Sequence, residues 1–336
     1  MINAYQHAGI GVHDAGRTYE FYRKMLGFKV KANDHTAYLK EMESVIGALV
    51  EMRIIMAANA AGGGVIELCE HTSTKPLEPE EPVRWGDLGF FELGIAAYDL
   101  NSLYLNLKRE GVGFLTPVRT LELSSGGMMR YAYLRDPDGL LLQLVEVGPS
   151  RRPRAGGVHH VGMGVRDMEK MREFYSEVLG FTEVVHEFRG VLPELEEVTG
   201  GGEMEMVMLR RPGPARGSIP NLEPGRVTLV RTLDYEGKPI FAGRRWGDIG
   251  MMELAFDVDD LPGTVEELVS KGARSYMPVT RIDMGTGSLG SVAYVLDPED
   301  NCIELVETEK VFWMRPALVN KILGPLMKAG VRLGIL

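Results

Sequence analysis

One segment occurs twice in this chain, and the repetition constrains the fold more than any compositional figure. Ala4–Phe28 reads AYQHAGIGVHDAGRTYEFYRKMLGF, and Gly157–Phe181 reads GVHHVGMGVRDMEKMREFYSEVLGF. In each copy a histidine (His7, His160) is followed seven residues later by an aspartate (Asp14, Asp167), then by Phe-Tyr and by Leu-Gly-Phe. From His160 to Val165 bulky apolar residues alternate with glycine, which predicts a strand with one crowded face and one closely approached face. Asp167 is placed to cap a helix; Met168, Met171, Tyr175, Val178 and Leu179 recur at helical spacing, and Gly180 supplies the stop. Each copy therefore predicts a strand, a helix and a further strand. A lone histidine at the head of a strand is usually a packing residue, but its recurrence at the same point marks His7 and His160 as candidate site residues.

The rest of the chain repeats in the same way. Strands are expected at Gln6–Val12, from Phe28, at Leu49–Ala57 and at Val65–Cys69, with a helix over Asp14–Leu26. A polar, proline-rich connection over Thr72–Pro82 then leads to a second round. That round has a strand at Gly89–Ala97, a helix over Leu100–Glu110 ended by Gly111, and a hairpin (Met128–Leu134, Leu140–Val147) turned by Asp136-Pro137-Asp138-Gly139. Trp85-Gly86-Asp87-Leu88-Gly89 returns as Trp246-Gly247-Asp248-Ile249-Gly250, and Glu92 returns as Glu253. An interval of 51 residues separates Glu92 from Gln143 and also Glu253 from Glu304. The internal duplication reaches about residue 309. The expected architecture is α+β, with four βαβββ modules in two pairs: residues 1–150, residues 151–309, and an arm over 310–336.

A chain of 336 residues with 45% hydrophobic side chains can build full cores for two such domains. The net charge of −10 excludes a phosphate-neutralising surface, so no nucleic-acid partner is expected. The one basic run, Arg151-Arg152-Pro153-Arg154, falls at the junction of the halves and reads as a linker. Cys69 and Cys302 each sit in an apolar strand-like run, as packed reduced thiols do. No leader pattern or apolar run long enough to insert stably in a bilayer is evident, so a cytoplasmic location is expected.

HxxxxxxD opening a strand and helix, with RDPDG before LLLQLVE in one half and LDPED before CIELVE in the other, resembles the vicinal oxygen chelate superfamily. That group includes glyoxalase I, methylmalonyl-CoA epimerase, extradiol dioxygenases and the bleomycin and fosfomycin resistance proteins. The resemblance spans about nine-tenths of the chain and implies two tandem glyoxalase-like domains in which paired modules form open cups. It implies metal ligands on the first and last strands of each module: His7, Glu67, Glu92 and Gln143 in the first half, and His160, Glu253 and Glu304 in the second. The remaining second-half position falls on Thr228 or Val230, depending on a two-residue shift of the alignment.

An imidazole with two or three oxygen donors suits a divalent Fe, Mn, Zn, Co or Ni ion. Unpaired carboxylates are costly inside a β cup, which makes a metal their natural partner; the plainer reading leaves Glu67, Glu92, Glu253 and Glu304 facing solvent on half-buried strands. The resemblance implies an enzyme that chelates two neighbouring substrate oxygens and removes a carbon-bound proton, with Glu253 or Glu92 as the base, in an isomerase or lyase reaction. Two alternatives stand beside it: an Fe(II) extradiol-type dioxygenase, and a non-catalytic binding or resistance protein. Glu92 and Glu253 stand where extradiol enzymes carry a second histidine, and the first-half set is closer to the His, Glu and Gln sets of glyoxalase I. No cluster of Arg and Lys presents itself for the phosphates of coenzyme A or for glutathione. The 19 methionines, clustered at 128–129, 204–208 and 251–252, read as core; if they lined the cups, the substrate would be apolar or aromatic.

Residues 311–336 lie outside the duplication. Leu318, Ile322, Leu323, Leu326 and Met327 fall at helical spacing beside Arg315, Lys321, Lys328 and Arg332, and Gly324-Pro325 is expected to break or kink the helix. Such an amphipathic arm packs on its own body or on a second subunit of a homodimer, covers an apolar pocket, or lies on a membrane surface.

Overall fold

The computed structural model describes residues 2–150, 152–284, 287–311 and 313–333. The first module contains β1 (Ile2–Gly11), α1 (Ala15–Met25), β2 (Val30–Tyr38), the short α2 (Glu43–Ile46), β3 (Glu51–Ala58) and β4 (Val65–His71). The second contains β5 (Gly89–Tyr98), α3 (Leu100–Arg109), β6 (Arg119–Glu122), β7 (Met128–Arg135) and β8 (Leu141–Gly148). In the third, β9 (Arg154–Gly164) leads to α4 (Met168–Glu173), a π-helical turn (Phe174–Val178), β10 (Glu183–Gly190), the short α5 (Glu196–Thr199), β11 (Met204–Arg210) and β12 (Arg226–Thr232). The fourth contains β13 (Gly250–Val258), α6 (Leu261–Ser270), β14 (Arg274–Asp283), β15 (Leu289–Leu296) and β16 (Cys302–Lys310). A last helix, α7, spans Pro316–Leu333.

The repeated aspartates act as N-caps. Asp14 accepts a hydrogen bond from the Arg17 backbone N–H, and Asp167 from that of Lys170. Gly27 and Gly180 follow their helices with φ of 72° and 78°, conformations that favour glycine.

The strands form two eight-stranded sheets, and each sheet takes one module from each half of the chain. One runs β14-β15-β16-β13-β1-β4-β3-β2, the other β10-β11-β12-β9-β5-β8-β7-β6. Module one thus joins module four through the antiparallel β1–β13 ladder, and module two joins module three through β5–β9. Each half therefore contributes to both cups, so the ligand sets expected within each half are not the sets brought together. Partnering between modules is long-range and leaves no local mark in the sequence.

One continuous apolar core joins the two sheets with the four main helices; Tyr22, Leu103, Tyr175, Leu261, Leu93 and Phe256 are all buried in it. The helices also reach across to the sheet they do not belong to. The Tyr22 hydroxyl on α1 donates to Asp136 in the β7–β8 turn at 3.2 Å, and the Tyr175 hydroxyl donates to Asp297 in the β15–β16 turn at 3.2 Å. The opposite, concave faces of the sheets form the two cups.

Candidate metal centre

In the first cup, β1, β4, β13 and β16 aim His7, Glu67, Glu253 and Glu304 at one point. His7 Nε2 lies 3.1 Å from Glu304 Oε2, 3.5 Å from Glu67 Oε2 and 3.7 Å from Glu253 Oε1. His7 and Glu253 are almost wholly shielded from solvent, and Glu304 nearly so. The donor atoms of His7, Glu253 and Glu304 lie within 4.8 Å of one another. Nε2 of His7, Oε1 of Glu253 and Oε2 of Glu304 have no directed hydrogen-bond partner. Orphaned buried polar atoms are rare because each costs about 1–3 kcal/mol, and more when charged. Three that converge, drawn from one imidazole and two carboxylates with a third carboxylate beside them, match the donor set of a divalent Fe, Mn, Zn, Co or Ni ion.

The electrostatics point the same way. Burial opposes a positive charge on His7, but the carboxylates of Glu67, Glu253 and Glu304 override it and hold the imidazole well above its usual pKa. Burial pushes Glu253 up to about 8, with Glu304 and Glu67 adding to the rise, and burial also raises Glu304. Glu67 is held low: burial opposes its charge, but the nearby imidazole outweighs that cost. A dication at the point of convergence would stand in for these protons. The neighbouring thiols of Cys69 and Cys302 are pushed well up by burial and by the same carboxylates, and so are unsuited to act as thiolate ligands.

Neighbouring residues hold the ligands in place. Trp246 Nε1 donates to Glu253 Oε2 at 2.6 Å, leaving Oε1 directed into the cup. Gly9 faces Glu253 across the β1–β13 ladder, and a Cβ there would lie 2.3 Å from Glu253 Oε1. This is the closely approached face that the alternating glycines predict.

The second cup has the same plan and a different outcome. His160, Glu92 and Gln143 stand where His7, Glu253 and Glu304 stand in the first. The open choice between Thr228 and Val230 is resolved by register, since Glu67 pairs with Gly9 and Thr228 pairs with Gly162. Here most of the polar groups bond to one another, and Gln143 Oε1 is the atom of the set left without a partner. His160 Nε2 is 3.0 Å from Glu92 Oε1, while Glu92 Oε2 accepts from Trp85 Nε1 at 3.3 Å and from the Tyr133 hydroxyl at 2.8 Å. Gln143 Nε2 donates to Tyr133 at 2.6 Å. Leu192, Leu195, Met204, Met206 and Val230 are buried in one apolar cluster with Trp85 and Tyr133. The methionines of the 204–208 cluster therefore serve largely as core.

Before the first cup lies a cavity of about 310 Å³. His7, Glu67 and Glu304 lie at one side; Met42, Ile54, Met56, Met284 and Val306 form apolar walls, and no Arg or Lys is among its lining residues. Val319, Leu323 and Met327, one turn apart on α7, close it. The helix is not broken at Gly324-Pro325, where a break or kink was expected. Its inward row is Val319-Leu323-Met327, whereas Leu318, Ile322 and Leu326 of the expected stripe are exposed. No described helix is long and apolar enough to cross a membrane.

The sequence reading missed Gln6, Ser218 and Asp257, and gave no role to the tryptophans or to Tyr133 and Tyr294. The tryptophans had a legible signal, since each precedes its glutamate by seven residues. So had the tyrosines, which stand ten residues before Gln143 and Glu304.

The profile of the Glyoxalase/Bleomycin resistance protein/Dioxygenase superfamily matches residues 4–144 and 157–305. Lactoylglutathione lyase GLX1 of Arabidopsis thaliana is 25% identical over 178 residues, which cover 52% of this chain and 53% of that protein. The chain thus spans about half the length of the curated relative it matches. Glyoxalase I from Zea mays superposes with a TM-score of 0.55 at 15% identity, over 91% of this chain and 92% of that one. A putative dioxygenase from Bacillus subtilis gives 0.59 at 13% identity, over 100% and 97%. At these identities the superpositions establish the fold, and the matched profile, covering both halves, places the chain in the Glyoxalase/Bleomycin resistance protein/Dioxygenase superfamily.

Proposed function

We propose that the first cup is the active site of a metal-dependent enzyme that removes a proton from carbon beside two neighbouring oxygens of a small apolar or aromatic substrate, in the manner of an isomerase or lyase. The observation that carries this reading is the convergence of His7 Nε2, Glu253 Oε1 and Glu304 Oε2, buried, close together and without a well-directed hydrogen bond. His7, Glu67, Glu253 and Glu304 would hold a divalent ion, which would supply Lewis acidity towards neighbouring substrate oxygens and so acidify the adjacent C–H. Glu253 is the base. Trp246 fixes one of its oxygens while the other faces the cup, in position to take a proton from a substrate carbon. Glu92, the other candidate base, belongs to the second cup, where both its oxygens are engaged.

The walls define the substrate class. Four carboxylates (Glu41, Glu67, Asp283 and Glu304) and no Arg or Lys line the 310 Å³ cavity, so carboxylate or phosphate groups on a substrate, beyond any at the metal itself, would be unpaired there. A glutathione conjugate, with two such carboxylates, fits poorly; a neutral body bearing vicinal oxygens fits well. The three-carboxylate set also departs from the two-histidine, one-glutamate triad of extradiol dioxygenases, which favours proton chemistry over oxygen chemistry.

Elemental analysis of wild type, His7→Ala and His160→Ala tests the centre: metal is expected to be lost with His7→Ala and retained with His160→Ala. The reaction is tested by deuterium uptake from D2O into 2-hydroxyacetophenone, which wild type should catalyse and Glu253→Gln should not. Oxygen consumption with catechol would replace this reading with the dioxygenase, and binding without exchange or oxygen uptake would leave a binding protein.

A further inference from the structure

Behind His7 lies a buried polar chain that neither the family match nor the ligand set accounts for. The β1–β13 ladder pairs Tyr5 with Phe256 and His7 with Ala255, leaving Gln6 as the extra residue of a β-bulge. Bulges re-aim side chains, and this one puts Gln6 beside His7 at the edge of the cavity. Gln6 Oε1 is 3.0 Å from His7 Nδ1, and Gln6 Nε2 donates to Asp257 Oδ2 at 3.3 Å. The same Asp257 oxygen accepts the Ser218 backbone N–H at 2.8 Å and the Ser218 hydroxyl. Gln6, Asp257 and Ser218 are all buried.

These contacts have a direction. The Ser218 N–H can only donate, so Asp257 Oδ2 is an acceptor whatever the protonation of the other carboxyl oxygen. The Gln6 amide must therefore turn its NH2 towards Asp257 and its carbonyl oxygen towards His7. A carbonyl can only accept, so His7 Nδ1 carries a hydrogen, and the lone pair of the neutral ring is on Nε2, facing the carboxylates. The second cup is built differently at the same points. His159 replaces Gln6 as the bulge residue and lies with its Nδ1 3.0 Å from His160 Nδ1, and Ala96 stands at the position of Asp257.

Resting on the metal-centre reading above, we infer that Gln6 and Asp257 are positioning residues that fix the His7 tautomer, with Gln6 passing on an orientation set by Asp257 and Ser218. The device extends to the helix over the cavity: Thr308 donates to the Ser218 hydroxyl at 3.1 Å, and Asn320 on α7 donates to the Gly217 carbonyl at 2.7 Å. The seat of α7 and the aim of the histidine thus share one hydrogen-bonded chain. Outer partners of this kind typically contribute 10- to 100-fold in metal affinity, roughly.

The test uses 15N-labelled full-length protein with Gln6→Leu, Gln6→Glu, Asp257→Ala and, as a control in the second cup, His159→Leu. Two quantities are read: the protected His7 Nδ1–H resonance, with and without Zn2+, and Zn2+ affinity by chelator competition. In wild type and Gln6→Glu the resonance is expected to persist and affinity to stay within a few-fold. Gln6→Leu and Asp257→Ala are expected to lose the protected resonance and about 10- to 100-fold in Zn2+ affinity, with the Tm of the metal-free protein reporting any folding defect separately. His159→Leu should change neither quantity. A wild-type Nδ1–H signal and Zn2+ affinity in Gln6→Leu would overturn the inference while leaving the metal centre standing. Loss of the resonance in Gln6→Leu, with no Zn2+ bound by wild type, would instead sustain the positioning and remove the metal-centre reading.

Discussion

Glu67 and Thr228 occupy one position in the two sheets, each paired with the second residue after the strand histidine, Gly9 in one case and Gly162 in the other. The carboxylate is present only where three other ligands converge without partners. Replacing it should make the first cup resemble the second: Glu67→Thr is expected to lower metal affinity by more than about 10-fold, the lower end for losing even an outer partner of a ligand. Competition with a chromophoric chelator measures this directly, and unchanged affinity would mean that Glu67 is not a ligand.

A methyl group on Gly9 would collide with Glu253 at its Oε1 and Cγ. Gly9→Ala is therefore expected to displace that carboxylate, reducing metal content and abolishing deuterium exchange, with a destabilisation of about 1–3 kcal/mol from overpacking. Gly47→Ala makes a useful comparison, because a Cβ there meets nothing within 4 Å; its effect reports only the cost of a left-handed backbone.

Stability should fall between pH 4 and pH 8 through two turn aspartates. Burial lifts Asp136 to about 7, aided by the charge of Asp138, and burial lifts Asp297 to about 6. An acid whose folded pKa lies above its unfolded one contributes stability that is complete below the unfolded value, near 4, and is lost as pH rises through the folded value. Urea midpoints across this range are expected to decline less steeply in Asp136→Asn and Asp297→Asn than in wild type. The difference in slope should integrate to a few kcal/mol, on the order expected for such shifts. Parallel curves would show that these carboxyls are not perturbed.

Leu323 on α7 borders the cavity, and tryptophan at that position would intrude on it. Leu323→Trp is expected to weaken 2-hydroxyacetophenone binding by about 1–3 kcal/mol, roughly 5- to 150-fold, without changing metal content. Unaltered affinity together with intact metal would place the substrate elsewhere.

Much of this was legible in the sequence, for reasons that differ by feature. The His-to-Asp spacing and the capping aspartates are local signals, and they located the first strand and helix of modules one and three. The equal intervals from Glu92 to Gln143 and from Glu253 to Glu304 pointed to the polar side chains that face each cup. Which His meets which Glu was not legible, because that depends on β1 pairing with β13, and all four modules offer similar edges. Strand β6 is only four residues long and lies beyond the reach of periodicity. Gln6 was missed because a bulge leaves alternation intact until the partner strand is known, and Ser218 because it comes from a loop of module three that crosses to the other cup.

The cross-over of modules between sheets has a consequence for how the two cups could diverge. Neither half is self-sufficient: cut near residue 150, each would expose an unpaired edge along β1 and β5, or along β9 and β13. Two copies of the first half could satisfy those edges by exchanging modules, and each cup would then carry His7, Glu67, Glu92 and Gln143. Fusion of two such copies breaks that symmetry. Once the halves are tethered and paired crosswise, one cup can gain a carboxylate at position 304 while the other keeps Gln143 and carries Thr228 where the first has Glu67, so that a single chain holds a cup of converging carboxylates beside one whose histidine and glutamate satisfy each other.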